Sequence, residues 1–181
     1  MLKFLLAFGF VVLSGNLFAQ EPEKVPVRLG ENPLIFLDSV SIDRTAMLKF
    51  DPLAVASLTL LEGKDAMLTL GEAAKDGVIY IESIPFAKKR FQRYFRTKSK
   101  EYEDLVPNFD SDSTFQYILN DKVLEKDFEG NLASIDDKVF KQIKILSKED
   151  LEKEYNINNK LVGVLIRSEV PKDLYNGKKK F

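Results

Sequence analysis

The chain has 181 residues, with 27 Lys and Arg against 28 Asp and Glu for a formal net charge of −1, and it contains neither Cys nor His. Near-neutral charge argues against nucleic acid as a general partner, because phosphate binding needs a cationic surplus. Zero Cys excludes disulfides, thiolate nucleophiles and Cys-ligated zinc; zero His removes the usual general base, the commonest zinc ligand and the Ser-His-Asp triad.

The amino terminus reads as an export signal. Lys3 precedes the unbroken apolar run Phe4 to Leu13, followed by Ser14-Gly15-Asn16 and then Leu17-Phe18-Ala19-Gln20. That is the order of n-region, h-region and small-residue cleavage site, with cleavage expected after Ala19 or Gln20. The run is too short to span a bilayer, which takes about 20 apolar residues. Without Cys there is no lipid-anchor site of the lipoprotein kind. The expected location is periplasmic or secreted.

The remainder, about 160 residues, suits one ordinary domain or two small ones. It divides into residues 21–87, a linking helix at 88–107, residues 108–170 and a basic tail at 171–181. In the first unit, Pro33 to Asp38 is a strand and Ser39-Val40-Ser41-Ile42 its hairpin return. Asp51-Pro52 opens a short helical turn, with Asp at the N-cap and Pro at the first helical position. Ser57 to Leu61 alternates as a strand, Lys64 to Lys75 carries Ala66, Leu70 and Ala73-Ala74 at helical spacing, and Gly77 to Ile81 is a closing strand.

The second unit repeats this order. Phe115 to Asn120 and Lys122-Val123-Leu124 form the hairpin, Ser134 to Phe140 the short helix, and Gln142 to Leu146 the alternating strand. Lys148 to Tyr155 is the helix and Gly163 to Ile166 the closing strand. Phe36-Leu37-Asp38 echoes Ile118-Leu119-Asn120, Leu60-Leu61-Glu62 echoes Ile145-Leu146-Ser147, and Gly77-Val78-Ile79 echoes Gly163-Val164-Leu165. The expected fold class is α+β: two similar small strand-helix-strand modules with mixed sheets, joined by a basic amphipathic helix. Units this small are marginal alone, so the two should dock.

The linking stretch holds Lys88, Lys89, Arg90, Arg93, Arg96, Lys98 and Lys100 without one acid. Phe91, Tyr94, Phe95, Tyr102 and Leu105 share one helical face, leaving the cations mostly on the other. These seven are the candidate residues for binding an anionic surface: lipid headgroups, lipopolysaccharide phosphate or an acidic partner. A solvated linker face is the plainer reading.

Asp110-Ser111-Asp112-Ser113 offers hard oxygen ligands of the kind Ca²⁺ takes, but lacks the Gly and distal Glu of an EF-hand loop, and reads as a polar linker. Asp38 is the one acid singled out for carboxylate chemistry, because it ends an apolar strand; more often such an Asp bonds turn amides. Walker A, G-x-G-x-x-G and G-x-S-x-G patterns do not occur.

The order Pro33-Leu34-Ile35-Phe36-Leu37-Asp38, Asp51-Pro52, Ser57 to Leu61, a helix holding Ala66, and Gly77-Val78-Ile79-Tyr80-Ile81 resembles the plug domain of TonB-dependent outer-membrane receptors, closest to those of Bacteroidetes. Similar stand-alone modules occur fused to sensor metallopeptidases. The likeness covers residues 33–83, with a degenerate second copy near 115–168. Ser39 stands where the family has Gly, and Leu70-Gly71 where it has Tyr-Gly. The resemblance implies a plug-like fold and an envelope location, with no catalytic residue, metal or cofactor carried over. The expected function is a non-enzymatic protein-interaction module with an envelope protein as partner. The alternatives are a membrane-surface or lipopolysaccharide-associated protein, and a carboxylate-dependent hydrolase built on Asp38.

Overall fold

The computed structural model describes residues 28–109 and 112–169. The expected export signal, the tail at 171–181 and Asp110-Ser111 lie outside them. The fold opens on a hairpin of β1 (Leu34–Leu37) and β2 (Val40–Ile42). Its two-residue turn, Asp38-Ser39, has φ of 51° and 70°, the left-handed pair that lets a tight hairpin follow the strand twist. Helix α1 (Arg44–Lys49) follows, capped by Asp43, and a 3-10 turn at Pro52–Ala54 is capped by Asp51. Then come β3 (Val55–Leu61), α2 (Gly63–Leu70) and β4 (Val78–Ser83).

Helix α3 (Ile84–Lys98) and α4 (Lys100–Leu105) lead to a second set: β5 (Phe115–Leu119), β6 (Lys122–Val123), α5 (Glu129–Ala133), β7 (Phe140–Leu146), α6 (Lys148–Tyr155) and β8 (Val162–Ser168). The two sheets have orders β2-β1-β4-β3 and β6-β5-β8-β7. In each, the first strand pairs antiparallel with the second and parallel with the fourth, and the third pairs antiparallel with the fourth. The fold is α+β, with one module present twice.

The repetition reaches single residues. The third strand carries a bulge in both copies, between Val55 and Ser57 and between Phe140 and Gln142. The second hairpin turns on Asn120-Asp121, with φ of 49° and 68°. The helix after the third strand ends on a positive-φ residue in both, but in different conformations. Asn156 at φ 56° and ψ 37° is the left-handed residue that closes a helix at its C-terminus, whereas Gly71 at φ 72° and ψ −163° lies in a region that only glycine adopts readily.

The closing strands align differently from the sequence echo. Leu61 faces Val78 and Leu146 faces Gly163, so Gly163 corresponds to Val78 rather than to Gly77. A slip of one residue exchanges the two faces of a strand, so pairing decides what an apolar run leaves ambiguous. Gly163 sits where a Cβ would lie 2.7 Å from the Leu151 side chain, under α6.

Two helical expectations also shift. Residues 134–140 form a turn, not a helix: the Asp136 carboxylate accepts from the Lys138 amide and its carbonyl from Phe140. The short helix lies upstream, at Glu129–Ala133. The linking helix begins at Ile84 rather than 88, with Ser83 as N-cap and Pro85 in the first turn, and it breaks at Ser99, which caps α4 in turn.

Most of the core belongs to the second module. From α3, Ala87, Phe91 and Phe95 cover the face of sheet two that carries Phe115, Tyr117, Val164 and Ile166, joined by Tyr102, Leu132 and Ile135. Leu151 of α6 covers the opposite face, on Ile118 and Leu146. The first module has a thinner core of Ala66, Ala74 and Val78. The modules touch where Ala56 of β3 packs against the larger cluster. There Gly130 of α5 approaches so closely that a Cβ would stand 2.1 Å from the Ala56 carbonyl.

Two glycines resist a side chain for different reasons. Gly130→Ala drives a methyl into the Ala56 backbone, and the urea midpoint should fall by the equivalent of about 1–3 kcal/mol. Gly71 has open space around it but holds φ 72° and ψ −163°, so Gly71→Asn should cost about 1–3 kcal/mol through backbone strain alone. A Gly130→Ala variant as stable as the wild type would show that the contact between modules contributes nothing.

Candidate functional site

Asp38 is a structural acid. Its carboxylate accepts from the Ser83 amide and the Ser83 hydroxyl, both at 2.7 Å, and the same hydroxyl accepts from the Phe86 amide at the start of α3. Thus the turn of the first hairpin fixes the entry of the linking helix. The second copy repeats the clamp in neutral form, Asn120 accepting from the Ser168 amide and donating to its carbonyl. Both carboxylate oxygens of Asp38 are thus engaged in holding Ser83 at the helix entry.

The seven cations are largely neutralised. Lys88 pairs with Asp112 at 2.6 Å, Arg90 with Glu82 at 2.8 Å, Arg96 with Glu103 at 3.6 Å and Lys98 with Asp137 at 2.5 Å; Lys100 meets Glu103 and Asp104. Arg93 and Arg96 lie over the Phe109 ring, and Lys98 over Tyr94. Lys89, exposed on α3, and Arg93 have no carboxylate partner among the described residues. The stretch is basic in sequence, but its charge is met by acids from β4, α4 and the second module.

Asp112, from the polar linker, turns inward and becomes the hub of a buried cluster. It accepts from Gln92 at 2.7 Å and from the Tyr117 hydroxyl at 2.9 Å, besides its pair with Lys88. Tyr117 spends its proton there, so the 2.8 Å contact with the Tyr102 hydroxyl has Tyr102 as donor. Burial first, then the neighbouring Tyr102 and Asp112, raise the Tyr117 phenol far above its ordinary 10.0. Burial likewise raises Tyr102. Both stay protonated, as donors rather than bases.

The sequence marked Asp112 as a linker residue. The signal that betrays its role is Gln92, a polar residue beside Phe91 and Phe95 on a face that is otherwise apolar, one turn after Lys88. Above the cluster opens a pocket of about 430 Å³, lined by Lys88, Asp112, Tyr117, Glu125, Glu129 and Lys160 over apolar walls. Lys160 donates to the Ser113 carbonyl. Lys88 and Asp112 pair as cation and anion in the pocket wall, and Ser113 also lines it. No group of three or more metal-ligating side chains occurs among the described residues.

What distinguishes the first module is its surface. The large apolar side chains left exposed are Val40, Leu48, Leu53, Leu58, Met67, Leu68 and Leu70, against Leu161 in the second module. On α2, Met67, Leu68 and Leu70 occupy the positions of Glu152, Lys153 and Tyr155 on α6, and Leu68 is 87% exposed. Val40 stands where the second hairpin has Lys122.

Comparison with protein-family models, with curated proteins and with solved structures returned no match.

Removal of Asp112 strands Gln92 and the Tyr117 hydroxyl and leaves Lys88 without its acid. Asp112→Ala should cost about 2–4 kcal/mol in urea unfolding, and Asp112→Asn somewhat less, because its amide still accepts one bond. The pH profile has two signed limbs. Asp137 is held below its ordinary value, first by the hydrogen bond from Lys98 and then by Tyr94. Stability from it is present above the unfolded carboxylate range and lost as pH falls through the depressed value. The raised Tyr102 and Tyr117 act in the opposite sense: their contribution is whole below the phenol's ordinary 10.0 and is lost as pH rises beyond it. With no His in the chain, melting temperature should be flat between about pH 5 and 9. Tyr117→Phe should make the alkaline limb shallower; an unchanged slope would remove Tyr117 from that account.

Proposed function

We propose that this chain is a non-enzymatic, exported, plug-like protein of the cell envelope that acts as a protein-interaction module, with the outer face of α2 as its contact surface. One observation carries the reading. Two copies of a single fold place Met67, Leu68 and Leu70 in one, and Glu152, Lys153 and Tyr155 in the other, at matching positions. The backbone demands neither set, so the aliphatic one answers to something outside the module. Exposed aliphatic groups grouped on one surface mark contact sites.

The chemistry points the same way. Asp38, the Asp112 cluster and the cations of α3 are committed to one another, which favours docking over turnover or attraction to an anionic membrane. No helix among the described residues is long and apolar enough to cross a membrane. Location at the envelope rests on the apolar run Phe4 to Leu13 and on the likeness of residues 33–83 to receptor plugs.

The test uses the chain without its first 20 residues as bait in envelope extract, beside a Met67→Glu, Leu68→Lys variant. Those substitutions are the residues the second copy carries, so the fold is kept. A protein retained by the wild type and lost with the variant supports the reading. Identical capture by both, or none by either, overturns it.

A further inference from the structure

Each sheet ends on its third strand, β3 in one module and β7 in the other. With Leu61 matched to Leu146, Ala56, Ser57, Leu58 and Thr59 correspond to Lys141, Gln142, Ile143 and Lys144. Lys141 and Lys144 are exposed and guard β7 in the usual way, since charge on an outer strand deters pairing with another chain. From Val55 to Leu61 the first module has no charged residue at all, and Leu58 is 51% exposed. The α5 contact at Ala56 covers the start of this edge. Beyond it, β4 is the only strand paired with β3 among the described residues.

We propose that this edge is a self-association site, where β3 pairs antiparallel with β3 of a second copy about a two-fold axis through Thr59. In that register Thr59 faces Thr59, Leu58 faces Leu60, and Ser57 faces Leu61. Side chains alternate along a strand, so Leu58 and Leu60 of both chains fall on one face and the Thr59 pair on the other. Thr-Thr and aliphatic cross-strand pairs are favourable, and no like charges meet. An axis through Leu58 would instead bring the second strand alongside Ala56, where α5 stands. The two sheets become one of eight strands, and the twofold makes the contact isologous and closed.

Self-pairing of this short edge buries less than the ~800 Å² per partner of a tight complex. The dimer is therefore weak and dependent on concentration. It uses a surface other than the α2 face and does not rest on the proposed function.

Sedimentation velocity of the chain lacking residues 1–20, across rising concentration, should show the mass moving from one chain towards two. Thr59→Lys, which gives β3 the residue of β7, should stay monomeric throughout, and Lys144→Thr should associate like the wild type. Because the chain has no native Cys, Thr59→Cys should form a disulfide-linked dimer under mild oxidation, whereas Leu70→Cys should not. A wild type that stays monomeric at the highest concentration overturns the proposal. So does a Thr59→Lys variant that associates undiminished. Retention of the same envelope protein by Thr59→Lys bait separates the two surfaces, since loss of self-association then leaves the α2 contact standing.

Discussion

The apolar face of helix α3 is the part on which both modules depend. Ala87, Phe91 and Phe95 are buried against the second sheet, while the helix itself starts from Ser83, which Asp38 of the first hairpin holds by two hydrogen bonds. A chain without Cys has no disulfide to restrain it, and a module of about 55 residues buries too little surface to be comfortable alone. The helix solves this unequally. Phe91 meets Tyr117 edge-on at 5.4 Å and Phe95 meets Tyr102 at 6.0 Å, so the second module gains aromatic packing from α3, whereas the first has the Phe36–Tyr80 stack of its own sheet. What the first receives is a fixed exit for its last strand and a contact at Ala56.

This inequality accounts for where polar groups can be kept inside. A cluster such as Lys88, Gln92, Asp112, Tyr117 and Tyr102 is tolerable only where every member has a partner and the surroundings hold it still. The deep side of α3 meets that condition, apart from the Gln92 carbonyl oxygen, which finds no partner among the described residues. The first module, with Ala66, Ala74 and Val78 as its buried centre, could not hold such a cluster.

Much of the fold was legible because its signals are local. Alternation marked β3 and β7, and Ser147 with Asp150 makes a capping box at the predicted start of α6. Elements set by contact were not legible. The short helix expected at Ser134 to Phe140 lies upstream at Glu129–Ala133, where the missing Cβ of Gly130 lets α5 lie on the Ala56 carbonyl. Gly163 was matched to the wrong residue because glycines were aligned by type, whereas strand pairing sets the register. The site misled in the same way. Lys88 to Lys100 contains no acid, yet Glu82, Glu103, Asp104, Asp112 and Asp137 arrive from other elements or from the adjoining helix. Charge read along the chain is therefore a poor guide to charge on the surface.

Two copies in one polypeptide provide a control that a single domain cannot. Where both need the same geometry, the residues agree in kind: Asp38 with Asn120 at the turn, and Ala66 with Leu151 under the sheet. Where geometry imposes nothing they diverge, and the divergence has a direction. Val40, Met67, Leu68 and Thr59 face Lys122, Glu152, Lys153 and Lys144, so the first module has exchanged charge for uncharged, mostly aliphatic surface at sites that stability does not require. Exposed aliphatics are a standing cost to solubility and edge strands without charge invite pairing. The module that keeps both is also the one with the smaller core. The larger core lies in one copy and the exposed aliphatic surface in the other, with α3 joining the two.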